Sequence, residues 1–489
     1  MTATLSGKKS RLKDSSLFRK IYIIDLLVCN ISFLQIPAYV FLVFLFIWGV
    51  YLAVYNQNKN NTFFKLRFGL WIGAFLFFSL LSLLINFSIT IFYSFIMFLH
   101  VIICFFVFYG MHTEPDFDFR NELYTIARII VYLTTIANII GIICLMFGFS
   151  FEWYWIKFTI YENRFTGVYM NPNLLGFVSV VSLVCCHMLY KEDFMKAVNQ
   201  ARVSKIWIYS CIATNLFSLL LCDSNASFVL ALAYAIIYTG YVFFADKTAI
   251  SVSKVILKIV ALLLVGTVLI SSALMIRSIC QAGFSVVVSK TNSIIDIITG
   301  KEDLSDAKMP ELSDEENQQI TFEHENSNID SGRFKLWKES LNLFKISPVI
   351  GISNGNIVFY SEKYADNVLS YSYHKSDLHN GYLTILVSTG IIGFAIFCIF
   401  GFRFAKHTAQ HLFLQKKTFR NDIYPCLFSF LAAYLVYALF ERALLYDISF
   451  MVMWFWLMMG YASCYIAKFE PMLETQYIFH KKRITRTML

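Results

Sequence analysis

The chain has 489 residues, of which 58% are hydrophobic, 18% aromatic and only 15% charged. Apolar runs long enough to cross a bilayer recur along it, which excludes a soluble globule. The formal charge of +9 would suit nucleic acid in a soluble protein. In a membrane protein it is the cytoplasmic excess of lysine and arginine, so no nucleic-acid partner is expected.

The first twenty residues are basic, and the apolar stretch after them lacks a small-residue cleavage site, so no cleavable signal peptide is expected. Twelve spans are read, at 20–36, 38–55, 65–86, 88–110, 123–148, 172–190, 205–222, 226–245, 256–279, 380–402, 422–440 and 448–467. Pro37 divides the first apolar stretch, which is too long for one untilted span and short for two. With twelve spans the basic segments all fall on one side: Lys8 to Lys20, Lys59 to Arg67, Lys191 to Lys205, Lys247 with Lys254, Arg403 to Arg420, and Lys481 to Arg486. That side is cytoplasmic by the positive-inside rule, and it holds both termini. The connection from Glu114 to Glu122 is the acidic exception.

The segment from Gln281 to Leu378 then lies outside. Its first half is acidic and polar, which predicts loose order. Its second half predicts a short amphipathic helix from about Gly332 to Lys345, capped by Asp330 or Ser331, with Phe334, Trp337, Leu341 and Phe344 on one face. Pro348 follows it, and Gly351 and Gly355 mark turns. The expected fold is an all-α polytopic membrane protein in three parts: spans one to nine in residues 1–279, an extracytoplasmic loop in 280–379, and the last three spans with a cytoplasmic tail in 380–489.

Polar residues gather at the outer ends of the spans. Arg164, Asn171 and Asn173 precede the sixth; Asp223, Ser224 and Asn225 precede the eighth; Arg333 opens the loop helix. His374, Asp377, His379 and Asn380 precede the tenth, and Glu441 and Arg442 follow the eleventh. Each has a structural reading. Asn171-Pro172 suits a helix cap, Arg164 a headgroup anchor, Glu441-Arg442 a local ion pair, and His374 exposed loop polarity. Together, two arginines and several helix N-termini suit a diphosphate, and a histidine moves protons near neutral pH. The 11 cysteines show no CxxC pair and no Cys/His zinc spacing, so no metal is expected. Cys222 and Cys280 both fall near the outer face, where a disulfide between them is one alternative.

His379-Asn380, nine residues, then Gly390-Ile391-Ile392-Gly393 resembles the signature of the O-antigen ligase and Wzy-type polysaccharide polymerase superfamily, GT-C-like membrane glycosyltransferases. The run from Arg164 to Asn173 is similar to its Arg-x-x-Gly-x-x-x-Asn-Pro-Asn element. Arg333 to Trp337 with Pro348 to Gly351 resembles its loop element, Arg-x-x-x-Trp followed by Pro-x-x-Gly. The chain departs at the eighth span, where Ser224-Asn225-Ala226-Ser227 stands in place of Ser-Arg-Gly; either a third phosphate-binding cation is missing or Arg442 or Lys335 takes its place. The resemblance implies an inverting glycan transfer from undecaprenyl diphosphate to an acceptor hydroxyl, at the outer face of the cytoplasmic membrane and without metal or other cofactor. It implies His379 as the base, Arg164 and Arg333 on the donor diphosphate, and Asn171, Asn173, Asn380 and Arg442 in support. The implied partners are the lipid-linked glycan donor, a glycan or lipid-glycan acceptor, membrane lipid and other polysaccharide-assembly proteins.

A polymerase of O-antigen, capsule or exopolysaccharide is the preferred reading. A ligase joining glycan to lipid A core, or a protein O-oligosaccharyltransferase, shares the motifs. A transporter or flippase without chemistry should instead carry polar residues in mid-span. Here polarity gathers at one face.

Overall fold

The computed structural model describes residues 11–87, 90–115, 117–154, 156–161, 164–200, 203–245, 252–299, 333–364, 378–414 and 422–486. The chain is an all-α polytopic membrane protein, with 16 α-helices and a small amount of strand among the described residues. Eight of these helices are long and apolar enough to cross a bilayer, and three shorter apolar ones lie at Gly69–Ile85, Lys205–Leu221 and Tyr424–Tyr437. The 14-residue helix Ser15–Val28 overlaps the first expected span.

The chain divides into two compact units. The first comprises Met1–Ile23, Leu42–Leu123 and Gly332–Leu489; the second comprises Ile24–Phe41 and Tyr124–Ser331. In chain order the helices are α1 (Ser15–Val28), α2 (Gln35–Asn60), α3 (Thr62–Lys65), α4 (Gly69–Ile85), α5 (Ile91–Ile103) and α6 (Phe119–Met146). A sheet of β1 (Phe151–Trp153), β2 (Ile156–Tyr161) and β3 (Arg164–Gly167) follows. Then come α7 (Pro172–Tyr190), α8 (Glu192–Ala197), α9 (Lys205–Leu221), α10 (Asn225–Phe244) and α11 (Val252–Thr299). The last are α12 (Arg333–Ile346), α13 (Asn356–Tyr364), α14 (Gly381–Leu414), α15 (Tyr424–Tyr437) and α16 (Phe450–Arg486).

The first helix break differs from the expected one. Pro37 does not divide the opening stretch: α1 ends at Val28, and α2 begins at Gln35 and runs through Pro37. A proline in the first turn costs little, because its missing N–H would have no intrahelical partner there. The ninth span also continues, α11 running past Ile279 to Thr299.

In the first unit, α14 packs along α4, and α16 packs on the π and 3-10 turns from Cys104 to Thr113. Rings of Phe105, Tyr109, Phe400 and Trp456 interlock there, Phe105 and Trp456 at 4.8 Å between centroids. The acidic exception among the basic connections has a local cause. Glu114 and Glu122 both pair with the fully buried Arg19, and Tyr461 donates to Glu122 at 2.9 Å. A buried guanidinium requires such partners.

Two glycines join the loop element to α14. Gly351 (φ 82°) and Gly390 (φ 66°) both have left-handed φ and stand against each other's segments. A Cβ on Gly390 would lie 2.3 Å from the Val349 carbonyl oxygen, and one on Gly351 would lie 2.5 Å from the Gly390 nitrogen. The close approach lets Ile391 N–H donate to the Pro348 carbonyl at 2.9 Å and Ile352 N–H to the Val387 carbonyl at 3.0 Å.

The expected apolar face of the loop helix is only partly the buried one: Phe344 packs on the core and Trp337 is half-buried. Glu339, Ser340 and Leu343 are buried in α12, while Phe334 and Leu341 are exposed. Leu343 joins Ile352, Ile357, Leu378 and Val387 in a core, with Leu336 and Phe344 against it.

In the second unit, α7 packs on α9 and α10. Buried amides bind α6, α7 and α9 together: Asn138 donates to Ser179 at 3.1 Å and to Asn215 at 3.0 Å, and Asn215 donates to Thr135 at 3.0 Å. The strands pair antiparallel in the order β1-β2-β3, so Arg164 opens a strand rather than lying in a plain loop.

Candidate functional site

In the first unit the N-terminus of α14 carries the clearest chemistry. Asn380 caps it, its Oδ1 accepting from the Tyr382 N–H at 2.9 Å and the Leu383 N–H at 3.0 Å. Those donors have no intrahelical partner, so a side-chain carbonyl is favoured there. The turn is completed by His379 in the left-handed region (φ 44°), by Gly381 N–H donating to the Ala438 carbonyl at 2.8 Å, and by the Trp337 indole donating to the His379 carbonyl at 3.5 Å.

Glu441, just after α15, connects this turn to the loop helix. Its Oε1 accepts from Arg333 Nη2 at 3.0 Å, and its Oε2 lies 3.5 Å from His379 Nδ1. The Glu441 side chain is 8% exposed, that of Arg333 14% and that of His379 23%, so the imidazole is the most open of the three. A carboxylate beside Nδ1 favours the tautomer protonated there and leaves Nε2 to accept a proton. It also stabilises the imidazolium once that proton has been taken. The expected local pair of Glu441 with Arg442 is not formed: Arg442 Nη2 donates instead to Asp447 at 2.8 Å. Glu441 therefore serves Arg333 and His379. His374 and Asp377 lie outside the described residues.

The first unit also holds an apolar cavity of about 320 Å³, lined by Phe397, Phe400, Phe404, Leu431, Leu435 and Leu444 among others. Leu444 lies close against Gly381, at the start of α14.

In the second unit Arg164, Asn171 and Asn173 come together as the sequence suggests. Asn171 caps α7, its Oδ1 accepting from the Leu174 N–H at 2.9 Å, with Pro172 at the first helical position. Arg164 reaches across to the turn between α9 and α10. Its Nε donates to the Cys222 carbonyl at 3.3 Å, and its Nη2 to the Asp223 carbonyl at 2.9 Å and to Asn173 Oδ1 at 3.1 Å. Ser224 caps α10, accepting from the Ser227 N–H at 3.4 Å. Cys222 and Cys280 are both free thiols.

One arginine here was not singled out from the sequence. Arg277 of α11 ion-pairs with Asp223, and its Nη1 donates to Asn225 Oδ1 at 3.0 Å. A guanidinium of α11 thus touches Asn225, in the segment that stands in place of Ser-Arg-Gly. Its only sequence signal is a lone charge inside an apolar run, a pattern that marks function in membrane helices.

At the start of α14, then, a single carboxylate links a histidine and an arginine in a polytopic membrane protein. Residues 211–398 match the family model described as O-antigen ligase. The match, over less than half of the chain, supports a relationship to the O-antigen ligase and Wzy-type superfamily. The matched range contains Arg277, Arg333, His379, Asn380 and both glycines of the α14 joint; Arg164, Glu441 and Arg442 lie outside it. No curated protein is significantly similar to the chain.

Proposed function

We propose that this protein is a surface-polysaccharide polymerase of the Wzy type. It transfers a glycan from undecaprenyl diphosphate to an acceptor sugar hydroxyl at the outer face of the cytoplasmic membrane, with both termini in the cytoplasm. The observation that carries the reading is the Glu441 carboxylate set between Arg333 and His379 at the capped start of α14. In this reading His379 Nε2 takes the proton of the acceptor hydroxyl as its oxygen attacks the anomeric carbon. The bond from that carbon to the diphosphate breaks, the lipid diphosphate leaves with the electron pair, and configuration inverts. Arg164 and Arg333 are assigned to the diphosphate, because fixed guanidinium groups neutralise growing charge on a leaving phosphate. Asn380 holds the turn that carries the imidazole, and Asn171 and Asn173 hold the start of α7 and the guanidinium of Arg164. The apolar cavity, whose lining includes Leu444, suits an isoprenoid or acyl chain of a lipid-linked substrate.

The test is transfer by purified protein from a lipid-linked repeat unit. His379→Ala should lose about 10²–10⁴-fold in rate while still binding donor, as expected for a lost general base. Transfer at the wild-type rate would remove His379 from the chemistry. The family description also suits a ligase, which uses the same steps on another acceptor. Glycans of a strain lacking the protein separate the two: single repeats on the acceptor identify a polymerase, and free lipid-linked polymer a ligase.

A further inference from the structure

The apolar side chains of α12 go to two places. Leu343 joins the core, with Leu336 and Phe344 against it. Phe334 and Trp337 take no part in that core: Phe334 is 63% exposed and Trp337 half-buried. Their rings meet edge to face, 5.2 Å between centroids. Trp337 also meets the half-buried Phe440 at 6.3 Å, the planes tilted by 39°. The three rings form a row that leaves the helix at Trp337 and continues on the turn after α15.

Each ring stands beside one member of the group Arg333, Glu441 and His379. Phe334 follows Arg333 in the chain, Phe440 precedes Glu441, and the Trp337 indole donates to the His379 carbonyl at 3.5 Å. Single exposed apolar residues need no explanation, but a contiguous row beside charged and proton-transferring groups does. A lipid chain covers any apolar surface and has no use for the polar neighbours. A sugar ring uses both. Its faces carry C–H bonds, whose partial positive charge is drawn to the negative face of an aromatic ring, and its edge carries hydroxyls. In the reading above the donor is held by its diphosphate. The acceptor hydroxyl belongs to a sugar, and that sugar must be held so that the hydroxyl meets His379.

We propose that Phe334, Trp337 and Phe440 are the acceptor subsite: a C–H face of the acceptor sugar lies on the rings, and its hydroxyl edge is presented to His379. This rests on the polymerase reading above. An axial hydroxyl on the stacked face would stand between sugar and ring, so the subsite selects acceptors whose hydroxyls on that face are equatorial.

The probe is the repeat unit of the strain's own polysaccharide as its methyl glycoside, which carries neither lipid nor phosphate. Its Kd is measured by titration calorimetry on the full-length purified protein. Phe334→Ala should raise Kd roughly three- to tenfold, the worth of one ring contact, and Phe440→Ala should do likewise. Phe334→Leu separates stacking from plain apolar contact. Leucine keeps an apolar side chain but has no ring face, so its Kd should rise as in the alanine variant, while Phe334→Trp should keep or tighten binding. Wild-type Kd in Phe334→Leu would identify an apolar or lipid contact, and the proposal fails. Trp337→Ala also removes the hydrogen bond to the His379 turn, so the exposed Phe334, whose variants should keep the wild-type Tm, decides. Supplied with lipid-linked repeat unit, the wild-type protein should extend the methyl glycoside into a lipid-free product. Extension with Kd unchanged in the ring variants overturns this inference alone. Binding without extension overturns the polymerase reading, and the acceptor role with it.

Discussion

Replacing Glu441 by glutamine keeps the shape of the side chain and removes its charge. Its carboxylate accepts from Arg333 at 3.0 Å and stands 3.5 Å from His379 Nδ1, a distance long for a hydrogen bond and open to tightening when the imidazole becomes charged. A hydrogen bond to a charged group contributes ~1.5–3 kcal/mol, and each 1.36 kcal/mol is a factor of ten in rate, so the loss should be ~10–10²-fold. The loss should fall on kcat, because the interaction strengthens only as His379 gains its proton. Glu441→Asp should be intermediate, since the shorter chain cannot reach both partners at once. The assay is transfer by purified protein at saturating donor, with thermal unfolding measured in parallel. Arg333 loses its carboxylate in the glutamine variant, and a small drop in Tm is expected for so lightly exposed a pair. Wild-type kcat in Glu441→Gln would refute the argument that a carboxylate charge supports the base.

Two other outcomes are expected. Gly390→Ala places a Cβ 2.3 Å from the Val349 carbonyl in a backbone conformation nearly reserved for glycine, at a cost of ~1–3 kcal/mol for the backbone alone; transfer should fall sharply, and a variant with normal rate and Tm would show that the joint tolerates movement. Cysteines introduced singly at Ser150 and Lys338, both exposed, should react with a membrane-impermeant thiol reagent in intact cells while one at Lys59 should not; protection of the first two would overturn the assigned orientation.

Much of the helical layout was legible because it depends on local composition. Apolar runs gave the spans of α7, α9 and α10 to within a residue or two, and Asn171 was readable as a cap because capping is a contact between near neighbours in sequence. The opening break was misplaced because a proline is disruptive inside a helix but acceptable in its first turn, and sequence alone does not fix which turn it occupies. The buried face of α12 was only partly assigned because the helix offers two apolar stripes. The aromatic one is the more conspicuous, yet Leu336 and Leu343 meet the core together with Phe344. Partners far apart in sequence were the least visible. Glu441 binds Arg333 across 108 residues, and with Arg442 adjacent to it the nearest opposite charge was the natural but incorrect partner.

The loop element and the glycines of α14 are two halves of one backbone contact. Gly351 and Gly390 each occupy a conformation that side-chain-bearing residues avoid, and each leaves room for the other's chain. Ile391 and Ile352 donate across the joint, so the segment that follows α12 is fixed to α14 by main-chain hydrogen bonds. At one end of α12 stands Arg333; at the other the helix leads directly into Pro348 and Gly351. At the head of α14 stand His379 and Asn380, and Gly390 lies further along the same helix. The spacing from His379 to Gly390 is therefore mechanical as well as chemical. It sets where the loop helix is held along α14, and so where Arg333 and Trp337 meet Glu441 and His379. A proton-transfer group at a membrane mouth needs its neighbours held to within a fraction of an ångström. Here backbone contacts between the loop element and α14 provide that constraint.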